Sequence, residues 1–168
     1  NVVNPDALME EFGADTVRLY EMFMGPFEDG APWDQKGILG AERFLGRVHN
    51  LITHNKGLKT KENDTVSRLL HKTIKKVGED IENFKFNTAI SALMILLNEM
   101  EKQNESSVIS HQLFAKILHP FAPHMAQELW SELGNETFLD FELWPEDPAL
   151  VAENEFTLVI QVNGKTRG

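Results

Sequence analysis

The chain contains no cysteine, and other absences narrow what it can be. Without cysteine, disulfides and thiolate metal sites are excluded. No apolar run approaches the roughly 20 residues that a membrane-spanning helix needs, so we expect no membrane partner. No charged and then apolar leader opens the sequence, which begins with Asn1 and not with Met. We therefore expect Asn1 to be a cut or processed end of a longer protein.

Patterns that carry catalysis are also missing. There is no glycine-rich phosphate loop, and no Ser/His/Asp or paired-carboxylate pattern stands out from the acidic background. His119 and His124 flank a Pro-Phe-Ala-Pro stretch, and their spacing does not match the HExxH zinc helix. We predict a structural place for both histidines beside this break. The sequence predicts no catalytic residue, no metal site and no bound cofactor.

The distribution of charge matters more than the net charge of -10, which by itself argues against a nucleic-acid partner. Residues 41–76 hold nine Lys or Arg against three acids, so this basic block is +6 and the remainder is -16. A local basic block on an acidic body can still bind phosphate, because binding follows the nearby field. The alternative is that these residues form two helices with solvated faces.

Apolar residues recur at steps of three and four along most of the chain, which predicts a mainly α fold with a helix bundle. Residues 26–40 are predicted to be a loop in which Trp33 serves as an anchor. The run from Ile90 to Met100 is apolar around much of its girth, so this helix should be central. The predicted helices are 6–12, 16–24, 41–56, 65–81, 87–103, 107–118 and 123–133.

Helix ends are predicted from capping residues, prolines and glycines. Asp15 is expected to cap the second helix, and Arg18 is expected to pair with Asp15 one turn later in a structural role. Pro120 and Pro123 should break the chain, with Pro123 in the first turn of the next helix. Gly134 should end that helix.

The C-terminal part changes character after the last predicted helix. Residues 135–155 are acidic and irregular, and Phe138, Phe141 and Trp144 are expected to pack on the bundle. Residues 156–162 are β-prone, and the Asn-Gly pair that follows favours a tight hairpin with a return strand from Lys165. We expect this strand to be cut from a further domain. It would then be disordered, fold back, or pair with a second copy.

The motifs occur together in one order. NVVNP, GADTVRLY and RLYEMFMGP near the start, then GAERFLGRVHNL, LHPFAPHMAQELWSELG and FTLVIQVNGKTRG, resemble the part of class I aminoacyl-tRNA synthetases that follows the KMSKS loop. The amino-acid sequences of these motifs are similar to those of the leucyl-tRNA synthetase family of bacteria and organelles. The resemblance covers nearly the whole chain, and the joint order of the blocks is more specific than any one of them.

The resemblance implies a fragment of a larger enzyme. Residues 1–40 would be the connector after the KMSKS loop, and 41–134 the α-helical bundle of the anticodon-binding type. Residues 135–155 would be a linker on the bundle, and 156–168 the truncated start of a C-terminal domain. The parent family is cytoplasmic and joins leucine to leucine tRNA through leucyl-adenylate, using ATP and Mg²⁺. The catalytic and editing domains are missing, so we expect the fragment to be inactive and to bind the tRNA body.

The resemblance and the basic block together suggest which residues touch tRNA. Arg43 and Arg47, four residues apart on one helix, can each present a bidentate fork to phosphates. The alternative is that they pair with local acids such as Glu42 or Glu21. A wider alternative is a structural or interaction scaffold with little affinity for tRNA. The weaker candidates in the same block are Lys56, Lys59, Arg68, Lys72, Lys75 and Lys76.

Overall fold

The computed structural model describes residues 4–26, 28–29, 33–54, 64–103 and 107–145, with the backbone of 161–162 and 165–166. Lys56 and Lys59, with the predicted loop around them, lie outside the described residues. Within the described part, the helices are α1 (Pro5–Phe12), α2 (Ala14–Phe23), α3 (Gln35–His54), α4 (Asp64–Glu82), α5 (Phe86–Gln103), α6 (Val108–Leu118) and α7 (Pro123–Glu132). None of the helices in this part combines the length and hydropathy that a membrane span requires.

The mainly α prediction is confirmed, and α5 is the central helix. It packs against α4, α2 and α3, while α4 also packs against α6. Leu51, Ile81 and Met94 are half-buried at the edge of the core. The apolar residues of α3, α4 and α5 that recur at helical steps and are buried include Phe44, Leu45, Val48, Ile52, Leu70, Ile74, Val77, Ile90, Leu93, Leu96, Leu97 and Met100.

The first helix has the ends that its sequence predicts. Pro5 occupies the first turn, and the side chain of Asn4 accepts a hydrogen bond from the backbone N of Asp6 at 3.1 Å. Gly13 ends α1 with a φ of 83°, a conformation that glycine adopts without a steric penalty. The same residue directly precedes α2, so one glycine makes the corner between both helices.

The prediction that Asp15 caps α2 is wrong. Asp15 lies inside the first turn of α2 and is buried, and its Oδ2 accepts a hydrogen bond from the backbone N of Met125 at 2.7 Å. Its Oδ1 lies 2.8 Å from Nδ1 of His124. Helix α7 follows Ala122, which has no side chain that can cap it. A carboxylate from α2 therefore serves as the N-terminal cap of α7.

The prediction that Arg18 pairs with Asp15 is also wrong. The Nε and Nη2 atoms of Arg18 donate to the carbonyl oxygen of Pro120, at 3.3 and 3.0 Å. This carbonyl lies in the corner between α6 and α7, where proline leaves backbone groups without helical partners. Arg18 does have a structural role, but its partner is the backbone of a distant corner.

Helix α3 begins at Gln35, earlier than the predicted start at residue 41. The hydroxyl of Tyr20 donates to the carbonyl of Asp34 at 2.6 Å, and the Asp34 carboxylate accepts from the N of Lys36 at 3.0 Å. Trp33 is half-buried, and its ring meets the ring of Tyr20 edge-on, with 5.1 Å between centroids. These contacts fix the start of α3, so the predicted loop is shorter, while the anchoring role of Trp33 is confirmed.

The corner between α6 and α7 follows the sequence signals. The Ser107 hydroxyl accepts from the N of Ser110 at 3.1 Å and caps α6. Pro123 occupies the first turn of α7, and Gly134 follows the end of that helix with a φ of 87°. The places of Pro123 and Gly134 were predicted, whereas Ser107 was predicted to lie inside the helix that it caps.

The stretch after α7 packs differently from the prediction. A short 3-10 turn (Leu139–Phe141) buries Leu139, while Phe138 and Phe141 are 62% and 84% exposed and contact each other edge-on. The backbone N of Leu139 donates to the side-chain oxygen of Gln127 at 2.9 Å, which orients the turn with Leu139 inward. The expected packing of Phe138 and Phe141 on the bundle is therefore wrong. Trp144 does pack, half-buried beside α4.

The described strands are short. β1 (Gln161–Val162) pairs antiparallel with β2 (Lys165–Thr166), with Gln161 opposite Thr166 and Val162 opposite Lys165. The rest of the predicted strand 156–162 lies outside the described residues.

Candidate nucleic-acid interface

A polar stripe that includes Arg43 and Arg47 runs along the exposed side of α3. Arg43, Arg47, Asn50 and His54 recur at steps of four, three and four, and all four are solvent-exposed. The opposite side of the helix is buried in the core. The stripe therefore presents its cations along one outer face of the bundle.

Arg43 is exposed to solvent. Its Nε donates to the backbone carbonyl of Leu39 at 3.0 Å, one turn earlier on the same helix. In the part of the chain that the structure describes, no carboxylate lies within 4 Å of this side chain, so the alternative partners Glu42 and Glu21 are not used. Among the described residues, the two Nη groups of Arg43 have no hydrogen-bond partner, so they can donate to a phosphate.

Arg47 has a partner inside the protein. Its Nε donates to Oε1 of Glu101 at 3.1 Å, and its Nη2 contacts Oε2 of the same carboxylate and Oδ1 of Asn98, the latter at 2.6 Å. The hydrogen bonds to Glu101, followed by the attraction of its charge, raise the pKa of Arg47 above its ordinary value. This bidentate pair joins α3 to α5, so Arg47 does pair with an acid, but with the distant Glu101 and not with the local Glu42 or Glu21.

The candidate cations on α4 are also exposed, and Lys75 and Lys76 have acidic partners. Lys76 lies 2.8 Å from Asp80, a buried carboxylate that also accepts from the hydroxyl of Thr88 at 2.7 Å. Lys75 lies 4.0 Å from Glu79, with both side chains well exposed. Exposed pairs of this kind contribute about 0–1 kcal/mol and exchange readily for other partners. Arg68 and Lys72 are exposed on the same helix.

The cations do not form one cluster. Helices α4 and α5 are joined by the tight turn at residues 83–85, so their far ends lie side by side. Arg47 contacts α5 at Glu101, near that far end, whereas the Lys76 pair lies at Thr88, near the turn. With a rise of about 1.5 Å per helical residue, Thr88 and Glu101 lie about 20 Å apart along α5. Arg68 lies early on α4, so it belongs to the same end as Arg47.

Sequence reasoning did not find the partners that position these cations. Asn98 and Glu101 orient Arg47 although they are more than 50 residues away, as the sequence separations of 51 and 54 show. Nothing local in the sequence signals such a pair. Asp80 is similarly linked to Thr88 across the α4–α5 turn, which a helix pattern alone does not reveal.

The helical fold is one that other proteins share. Residues 64–168 match the family described as the anticodon-binding domain of tRNA ligase. Because the match takes in more than half of the chain, the chain belongs to this family.

The individual proteins to which the chain is similar are a leucine–tRNA ligase and a LeuRS. The chain is 47% identical, over 175 aligned residues, to the leucine–tRNA ligase of Chloroherpeton thalassium, and the alignment covers all of this chain and 22% of that protein. The fold is similar to that of the LeuRS of Agrobacterium radiobacter in its crystal structure as a ternary complex with tRNA and LeuAMS. The TM-score is 0.84 at 32% identity, over 99% of this chain and 24% of the other. The chain thus spans about a quarter of the length of these relatives, and the resemblance to the leucyl family is confirmed.

Proposed function

We propose that the chain is the tRNA-binding helical part of a leucine–tRNA ligase and that it contacts the body of leucine tRNA. The observation that carries this proposal is the similarity, over 99% of the chain, to a LeuRS whose structure contains tRNA. Membership of the anticodon-binding family supports the same partner. The parent enzyme would act in the cytoplasm and join leucine to its tRNA at the expense of ATP, with Mg²⁺.

We assign four parts of the chain to parts of the parent enzyme, as the sequence blocks imply. Residues 1–40 connect to the catalytic part, 41–134 form the tRNA-binding bundle, 135–155 link it onward, and 156–168 open a C-terminal domain. On this proposal, the residues for adenylation belong to the catalytic part of the parent enzyme and not to this chain. Leucine-dependent exchange of pyrophosphate into ATP by this polypeptide alone would contradict that part of the proposal.

The contact surface begins at the α3 stripe, with Arg43 as its first residue. Arg43 is exposed and lacks a carboxylate neighbour among the described residues, so a phosphate does not have to displace an internal partner. Arg68 is the second choice because it is exposed at the end of the α4–α5 pair where Arg47 contacts Glu101. Arg47 would contribute mainly by holding α3 against α5. Lys72, Lys75 and Lys76, with Lys56 and Lys59, extend the surface.

The test is filter binding of leucine tRNA across a salt series with wild type and Arg43→Glu. Loss of one phosphate contact should weaken binding and reduce the slope of log affinity against log salt by about one. Lys85→Glu is the matched control, because Lys85 is exposed in the α4–α5 turn and lies outside the basic block. It makes the same change of charge and should leave the slope unaltered.

Equal affinity and equal slope for wild type and Arg43→Glu would remove Arg43 from the interface. If no variant in the basic block changes the slope, the proposal of a tRNA-binding surface on α3 and α4 fails as a whole.

A second candidate function is a structural scaffold that joins the parts of the parent enzyme and has little affinity for tRNA. One observation favours it: Arg47, Lys75 and Lys76 already have carboxylate partners within the chain. A shallow salt dependence together with weak, non-saturating binding of leucine tRNA would support the scaffold over the tRNA-binding module.

We also propose that the β segment at 161–166 is the start of a further domain and is a site of self-association when that domain is missing. Two-residue strands offer few hydrogen bonds, so added strands from a second copy would stabilise them. Sedimentation equilibrium should then show a mass that rises with concentration and stays monomeric after deletion of 156–168. A mass independent of concentration for the full chain would contradict the pairing.

A further inference from the structure

Two helices bring metal-binding side chains together on the side of the bundle where α3 crosses α7. His49 of α3 is half-buried, and Glu128 and Glu132 of α7 are exposed. One ligand atom from each residue lies within 4.8 Å of the other two. The two glutamates are four residues apart, so they share one face of α7, and α3 packs against that helix.

The charges at this place are unfavourable as they stand. Glu132 lies in the last turn of α7, where the helix carries partial negative charge and no basic residue balances it, and Glu128 lies one turn before. Like charges four residues apart on a helix also repel. Neither carboxylate has an ion-pair or hydrogen-bond partner in the part of the chain that the structure describes. A bound cation would relieve both effects.

The geometry suits a small divalent cation. Ligand atoms about 2.0–2.2 Å from a zinc ion lie about 3–4 Å from one another. Separations up to 4.8 Å therefore need only a modest inward rotation of the glutamate side chains, which their exposure permits. One imidazole nitrogen and two carboxylate oxygens form a donor set that borderline cations such as Zn²⁺ accept, with water in the remaining position.

We propose that His49, Glu128 and Glu132 form a site for Zn²⁺ that joins α3 to α7. The site lies on the same helix as the Arg43 stripe, so the ion would fix the helix that carries the proposed contact surface. The sequence predicted no metal here, because the ligands are neither an HExxH helix nor cysteines. His49 and the Glu-x-x-x-Glu pair are far apart in sequence and meet only through the packing of two helices.

The test is a calorimetric titration of the whole 168-residue chain with Zn²⁺ at neutral pH. Wild type should bind one ion, and a saturating excess should raise the melting temperature by a few degrees. His49→Gln, Glu128→Gln and Glu132→Gln should each weaken binding by more than about tenfold. Glu136→Gln is the control, because Glu136 is an exposed carboxylate just beyond α7 and should leave binding unchanged.

A second measurement separates ligand loss from misfolding. Circular dichroism of each variant without metal should match wild type, since two of the three ligands are exposed. With Co²⁺ in place of Zn²⁺, wild type should show a visible absorption band that the Glu128→Gln, Glu132→Gln double variant lacks. The absence of saturable binding to wild type, or an equal affinity in the folded double variant, would overturn the proposal.

Discussion

The link from α2 to the start of α7 should be worth a measurable part of the stability of the domain. Replacing Asp15 by Ala removes the acceptor for the N of Met125 at 2.7 Å and leaves α7 without a cap, since Ala122 cannot serve. Loss of a cap costs about 0.5–2 kcal/mol. A partly buried charge at a helix N-terminus adds up to about 2 kcal/mol. Because the effects overlap, we expect a loss of about 2–3 kcal/mol.

Urea unfolding followed by circular dichroism measures this loss directly. For a chain of this size, 1 kcal/mol corresponds to about 2–4 °C, so thermal unfolding of Asp15→Ala should shift down by about 4–12 °C. Asp6→Ala is the matched control, because Asp6 also lies in the first turn of a helix but is exposed. That variant should lose about 1 kcal/mol or less.

Asp15→Ser distinguishes the distant role from a local one. Serine caps its own helix about as well as aspartate, so a local role would leave the serine variant nearly as stable as wild type. The shorter serine side chain cannot reach Met125, so the structure predicts a loss close to that of Asp15→Ala. A serine variant within about 0.5 kcal/mol of wild type would refute the reasoning.

Other substitutions test the packing and the buried histidine. A Cβ at position 37 would lie 2.6 Å from the Tyr20 hydroxyl oxygen, so Gly37→Ala should destabilise by about 1–3 kcal/mol. A Cβ at position 46 of the same helix has no other atom within 4 Å, so Gly46→Ala should stabilise the fold by about 0.5–1 kcal/mol. Equal changes in stability for Gly37→Ala and Gly46→Ala would contradict the clash with Tyr20. Burial lowers the pKa of His111 from 6.5 to about 4. Below pH 6.5, His111 of the unfolded chain is protonated, whereas His111 of the folded chain becomes protonated only near pH 4. The free energy of unfolding therefore decreases as the pH falls from 6.5 to about 4. Unfolding across this range should show about 3 kcal/mol of pH-dependent loss that His111→Gln lacks, and parallel pH profiles would contradict this.

The helices were predictable because their apolar residues repeat with the helical period, and their ends because Pro5, Pro123 and Gly134 act within a few residues of themselves. The start of α3 was missed for a physical reason. Gly37 weakens a helical pattern in sequence, yet the structure needs glycine there because Tyr20 packs against its backbone. A glycine that lets another side chain pack against the helix backbone resembles a loop glycine when only the sequence is known.

The candidate interface was predictable only as a row of cations. The spacing of Arg43 and Arg47 put both on one face of α3, and the structure agrees. Arg47 is less available to a phosphate than Arg43 because it pairs with Glu101, which lies far away in the sequence. The same holds for Leu139, which is buried where Phe138 and Phe141 were expected, since the Gln127 hydrogen bond decides which way the turn faces.

The way α2 holds the corner of α6 and α7 has a consequence for synthesis on the ribosome. Asp15 and Arg18 find their partners 110 and 102 residues later in the chain. At about 5–20 residues per second, roughly 5–20 s pass between the synthesis of α2 and that of its partners. During that interval the N-terminal helices cannot complete their tertiary contacts. Helix α7 therefore completes the placement of α2, and a ribosome that stalls before α7 would leave α2 without these partners and accessible to chaperones and proteases.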